Sequence, residues 1–206
     1  MKSKLNLLLL CLVAMLSFSC SDDDDSPDAG KKIDNIIPQY LRMQIEQYMP
    51  IYDGENPPLI TGAYHMSPVQ LLHSSDGQTP PGKLKDLDFG FYGQKNKRLD
   101  YVMASVSQDQ QEHGHYERGE GMYITGEGNN FTAFIATQGK SAGITFTSGV
   151  IISGNYDVAK KGIHNLRYAT VMIDKLNDPK DKLMKIGVFR VFKDTDGWSD
   201  FFDWEE

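Results

Sequence analysis

The chain has 206 residues, 21 Lys+Arg against 28 Asp+Glu and a formal net charge of −7. That length supports one domain with a full-sized core, or one with a small appendage. The acidic balance argues against nucleic acid and anionic headgroups as partners, because neutralising phosphates needs a basic face. The only cysteines are Cys11 and Cys20. No disulfide framework is expected, and the domain must rest on its hydrophobic core.

The first element is a leader. Lys2 and Lys4 precede an apolar run, 5–16, too short to be a permanent membrane span. Ser17, Phe18 and Ser19 then lead into Cys20, and Ser21 and Asp22, Asp23, Asp24 and Asp25 follow at once. The pattern of basic start, apolar run, small residue and cysteine resembles the lipobox of bacterial lipoproteins. Ser17 stands where that pattern usually has leucine. The Ser-Asp-Asp-Asp-Asp run resembles the export signal of Bacteroidetes lipoproteins carried to the outer face of the outer membrane. These resemblances imply a signal peptide over 1–19, lipidation at Cys20, an export signal at Ser21, Asp22, Asp23, Asp24 and Asp25, and an outer-membrane protein facing the cell exterior. The lipid is then the only membrane contact expected, since two or three acyl chains anchor stably where one does not. Residues 20–32 read as a lipidated acidic tether, small and polar with Pro27 and Gly30. Residues 33–206 form the domain.

The domain opens with an amphipathic helix over about 37–49. Ile37, Leu41, Ile45 and Tyr48 share one stripe, Pro38 suits the first turn, and Pro50 and Gly54 end the element. Its polar face lacks the Lys/Arg density of a membrane-surface helix. It should dock on its own domain.

From Pro57 the texture changes to β-branched and aromatic runs divided by turn signals. Strands are expected at 59–64, 86–92, 98–107, 119–125, 130–138, 142–153, 163–175 and 184–193. Gly126 to Asn129 and Gly139-Lys140 read as hairpin loops. Short connections imply antiparallel neighbours. About eight such strands, apolar on both faces around Phe131 to Ala136 and in the last strand, predict an up-and-down β-barrel with the helix packed outside, or a two-sheet sandwich. Gly62-Ala63-Tyr64, just after a short helix, resembles the Gly-x-Trp start of lipocalins and related calycin barrels. That resemblance implies barrel closure by Gly62 and Tyr64 under Arg190 of the last strand. The whole also resembles small uncharacterised Bacteroidetes lipoproteins.

Chemistry-bearing motifs are sparse. His113-Gly114-His115 with Glu112 and Glu117 offers two imidazoles, fewer than the three or four converging ligands a metal needs. Asp194-Thr195-Asp196-Gly197 resembles the start of a calcium loop, but Asp200 and Asp203 are off-register, and a turn is expected instead. Asp86, Asp88 and Asp100 read as solvated carboxylates rather than an acid–base pair. No nucleophile elbow, phosphate loop or Cys-His pair occurs. No metal, cofactor or catalytic residue is expected. Tyrosines are the better clue. Tyr92, Tyr101, Tyr123 and Tyr168 lie in predicted strands, where flat rings with polar tips suit a small apolar or glycan ligand. The expected function is non-enzymatic ligand binding. The rival expectation is a structural lipoprotein with a filled barrel, serving as an accessory subunit of a surface assembly through the helix or the Trp198–Trp204 tail.

Overall fold

A computed structural model describes residues 29–80, 84–106 and 115–203. The expected signal peptide, Cys20, the run from Ser21 to Asp25, the pair Glu112 and His113, and Trp204 lie outside the described residues.

Two short helices, α1 (Ala29–Ile36) and α2 (Gln39–Ile45), replace the single expected helix. Pro38 divides them. It sits in an extended conformation, φ −52° and ψ 142°, as the N-cap of α2. A proline removes an N–H and pushes the residue before it out of the helical region, so one continuous helix cannot pass through it. The apolar stripe survives the break, with Ile33, Ile37, Leu41, Ile45 and Met49 all buried. Because α1 begins at Ala29, it takes up the last residues assigned to the tether.

The rest is β structure: β1 (Glu55–Asn56), β2 (Gly62–Met66), β3 (Val69–Ser74), β4 (Asp86–Lys95), β5 (Arg98–Val106), β6 (Tyr116–Glu127), β7 (Asn130–Ser141), β8 (Ile144–Asp157), β9 (Gly162–Leu176), β10 (Phe189–Asp194) and β11 (Trp198–Phe202). They form one sheet in the order β11-β2-β4-β5-β6-β7-β8-β9-β10-β3, with β1 added in parallel to β6. From β4 to β9 every strand pairs antiparallel with the next in the chain, as the short connections require.

The expected closed eight-stranded barrel is not what forms. The sheet is a curled, open half-barrel of more numerous and shorter end strands. Ser67-Pro68 separates β2 from β3, and Thr195 to Gly197 separates β10 from β11. A proline cannot donate to a ladder, and a turn removes its residues from pairing. Contact at the ends of the sheet is therefore confined to short ladders: β11 meets β2 at 200–202 and β9 at 198–199. The two interruptions are tied together. Thr195 donates from its backbone N and its Oγ1 to Pro68 O, each at 3.0 Å. Asp194 Oδ2 accepts from Ser67 N at 3.3 Å and Ser199 Oγ at 2.8 Å.

The closure expected from Gly62, Tyr64 and Arg190 does not assemble either. Tyr64 lies opposite Phe201 of β11, whereas Arg190 lies opposite Ser74 of β3 and Thr170 of β9. The Phe201 ring, not a guanidinium, covers the start of β2. It packs directly on Gly62 and meets the Tyr64 ring edge-on at 6.0 Å. Tyr64 is wholly buried and donates from its hydroxyl to Ile60 O at 2.9 Å. Burial pushes its phenol well above the ordinary range, with Tyr156 adding to the effect.

Turn placement corrects a second expectation. Gly139-Lys140 is not a loop but the interior of β7, and the reversal falls at Ala142-Gly143. Both turn residues have positive φ, 49° and 78°, the requirement of the tight turn that suits a hairpin's twist. The expected strand 184–193 shortens to β10, which starts at Phe189, and β1, β3 and β11 form outside the expected strands.

Alternation then divides the apolar residues between two cores. The concave core contains Tyr64, Phe89, Phe131, Ile135, Val150, Ile152 and Tyr168. The convex core contains Tyr123, Phe134, Ile151, Ala169, Val171, Phe189 and Val191 under the helices' isoleucines and Leu41. Gly149 of β8 lets α1 approach. A Cβ there would stand 2.7 Å from the Ile37 side chain and 3.0 Å from Ile36 O.

Candidate functional site

The concave face is graded along its length. Deep positions are apolar, among them Phe131, Ile135, Val150 and Ile152. One step toward the end where β10 starts and β9 finishes, the inward side chains turn polar: Glu117, Thr137, Ser148 and Tyr168. Glu117 is 1% exposed, and its carboxyl is fully engaged. Oε2 accepts from Thr137 Oγ1 at 2.9 Å and Ser148 Oγ at 3.1 Å. Oε1 lies 2.7 Å from His115 Nε2 and 3.5 Å from Tyr168 Oη. A buried carboxylate is tolerable only with such a set of partners. Burial drives the Tyr168 phenol well above its ordinary range, and the nearby Glu117 carboxylate adds to this, so Tyr168 stays neutral.

Beyond this polar belt the curled sheet opens into a cavity of about 340 Å³. Its walls are Val69, Leu87, Phe146, Met172, Leu183, Met184 and Phe192, with Tyr168 and Thr170 toward its floor. His115 stacks on Phe146, centroids 5.2 Å apart and planes 28° from parallel. The wall segment carrying Lys182, Leu183 and Met184 is fixed by Asp178. That carboxylate accepts from Lys182 N at 2.8 Å, Leu183 N at 3.0 Å and Lys175 Nζ at 2.9 Å. Burial works to raise the Asp178 pKa, but the two N–H donors and the Lys175 ammonium outweigh it and hold it at about 2.

The four expected ligand tyrosines do not converge. Tyr168 lines this cavity. Tyr123 faces the opposite way, into the convex core beneath the helices. Tyr92 borders a separate open groove of about 690 Å³, with Tyr116, Arg118, Phe201 and Phe202. The side chain of Tyr101 lies outside the described residues. The residues that do converge were singled out only in part. His115 and Glu117 stood in the polar 112–117 segment. The inward period-two run Tyr168-Thr170-Met172 was visible in β9, but nothing in the sequence placed it opposite Arg190 and Phe192.

Among the described residues no group of three His, Cys, Asp or Glu side chains is arranged to hold a metal ion. The His115–Glu117 pair is a carboxylate holding an imidazole. The hydroxyls of Ser148 and Thr137 beside it belong to residues 0% and 1% exposed, and neither lines the cavity. Compared with known protein families, curated protein sequences and solved structures, the chain matches none.

Proposed function

We propose that this chain is a lipid-anchored protein of the outer-membrane surface that binds a small, largely apolar ligand without transforming it. The cavity of about 340 Å³ at the open end of the concave face carries this reading. It falls within the roughly 300–1,000 Å³ of small-molecule sites, and its walls are mostly apolar with a few polar groups. The burial of Ser148 and Thr137, the hydroxyls nearest the imidazole–carboxylate pair, supports binding over catalysis. The anchor rests on Cys20 and on the acidic run after it. Among the described residues no helix is long and apolar enough to cross a membrane.

The test uses the full chain with Cys20→Ser, which keeps every other residue and cannot be acylated there. Titration calorimetry with 1-decanol should give saturable one-to-one binding, and Leu183→Trp, which places an indole in the cavity, should weaken it at least tenfold. Saturable binding that Leu183→Trp leaves untouched would move the ligand elsewhere. No binding at all would favour the interaction reading.

A further inference from the structure

We infer that the ligand is an anionic amphiphile, held head-outward: its charged group at the cavity mouth and its apolar part against Tyr168. This rests on the ligand-binding reading above and names its chemical class. The first observation is charge. The chain is acidic overall, at −7, yet among the described residues the cavity lining holds Lys85, Lys182 and Arg190 and no carboxylate. A chance sample of this surface would favour acids.

The second observation is position. Arg190 lies opposite Thr170, while Phe192 lies opposite Tyr168, so the guanidinium is one inward step nearer the mouth than those rings. Lys182 lies in the β9–β10 connection and Lys85 just before β4, both exposed at the same end. His115 immediately precedes β6 at that end. Lys85, Lys182 and Arg190 therefore form a cationic rim, and the apolar walls lie within it. Tyr168 at the floor directs its hydroxyl to Glu117 Oε1 at 3.5 Å, so the deep end presents a ring whose polar tip is already engaged.

The third observation is the state of Arg190. Its Nε donates to Ser74 Oγ at 3.2 Å, and Ser74 Oγ donates in turn to Asp76 Oδ1 at 2.7 Å. That chain orients the guanidinium plane. Its two terminal nitrogens have no hydrogen bond among the described residues. Burial pushes the Arg190 pKa down, and the Asp76 carboxylate only partly offsets this. A half-buried guanidinium with an oriented plane and spare donors is suited to a carboxylate, sulfonate or phosphate, which it meets with paired charge-assisted bonds.

The experiment compares decanoate, 1-decanol and decylammonium on the full chain carrying Cys20→Ser. Decanoate should bind at least tenfold more tightly than 1-decanol, and decylammonium more weakly than either. Arg190→Gln should cost decanoate about tenfold and leave 1-decanol unchanged, and Arg190→Lys should restore part of the loss. Unchanged 1-decanol binding shows at once that the variant is folded. Equal affinities for decanoate and 1-decanol, both indifferent to Arg190→Gln, would overturn the anionic class while keeping the cavity. Failure of all three probes would overturn the cavity reading itself.

Discussion

At the residue scale, two buried side chains show how context sets behaviour. Asp194 is 2% exposed, and among the described residues its Oδ1 has no hydrogen-bond partner. Burial raises its pKa; the Ser199 hydroxyl bond pulls it down and neighbouring Asp196 pushes it up, to about 6 from an ordinary 3.8. A raised acid pKa means the folded state binds the proton more tightly than the unfolded chain. The contribution of this group is therefore fully favourable below about pH 4 and is lost as pH rises through 6. Asp194→Asn should flatten stability between pH 4 and 7, read as denaturant midpoints. In a carboxyl NMR titration, Asp196→Asn should lower the Asp194 midpoint. Tyr64 is the second case. Tyr64→Ala should cost about 3–5 kcal/mol, because an aromatic ring leaves the inner core. The Gly62-Ala63-Tyr64 motif suggested coupling to Arg190. With Arg190 lying opposite Ser74, the double-mutant cycle of Tyr64→Ala and Arg190→Ala should instead be additive within about 0.5 kcal/mol. A larger coupling would restore the closure that the strand pairing denies.

At the element scale, the long strands were legible because alternation and turn chemistry agreed. β8 and β9 carry dense Ile, Val and Thr, and they were found within a few residues of their ends. The short end strands were not legible. β3 (Val69–Ser74) has only alternate positions half-covered, and β11 (Trp198–Phe202) follows an Asp-Gly turn that looked like the end of the fold. Each exists because its partner strand supplies the ladder, which is a long-range fact. Gly139 misled for a related reason. It is glycine because the Phe146 ring and Tyr116 O approach within about 2.6 Å of where a Cβ would stand, not because the chain turns there. The helices give a test. Gly149→Val should drive α1 away from the sheet, destabilising by roughly 1–3 kcal/mol as other overpacked positions do. Amide exchange should quicken over 33–49 while β7 to β9 remain protected. Uniform loss of protection would mean the helices and the sheet form one cooperative unit.

At the scale of the whole molecule, the account joins an address to a container. The proposed address rests on Cys20 and Asp22–Asp25, a pattern local in sequence. Cys20→Ser should abolish acyl labelling and release the protein from membranes. Replacing Asp22–Asp25 with alanine should leave labelling intact but shield the domain from protease added to whole cells. The container was not readable as a site. Its lining comes from β3, β4, β7, β8, β9, β10 and the segments before β4, β6 and β10, and only the curl of the sheet gathers them. Tyrosines stand out along the chain, but the sheet turns Tyr123 to the opposite face from Tyr168. The most direct test of a ligand-holding interior is methyl NMR on the full chain with Cys20→Ser and labelled methionines, titrated with 1-decanol. Met172 and Met184 line the cavity, Met66 lies in the deep inner core and Met49 in the convex core. The account predicts saturable shifts at Met172 and Met184 with Met66 and Met49 unmoved. Shifts at Met49 alone, or none that saturate, would contradict it.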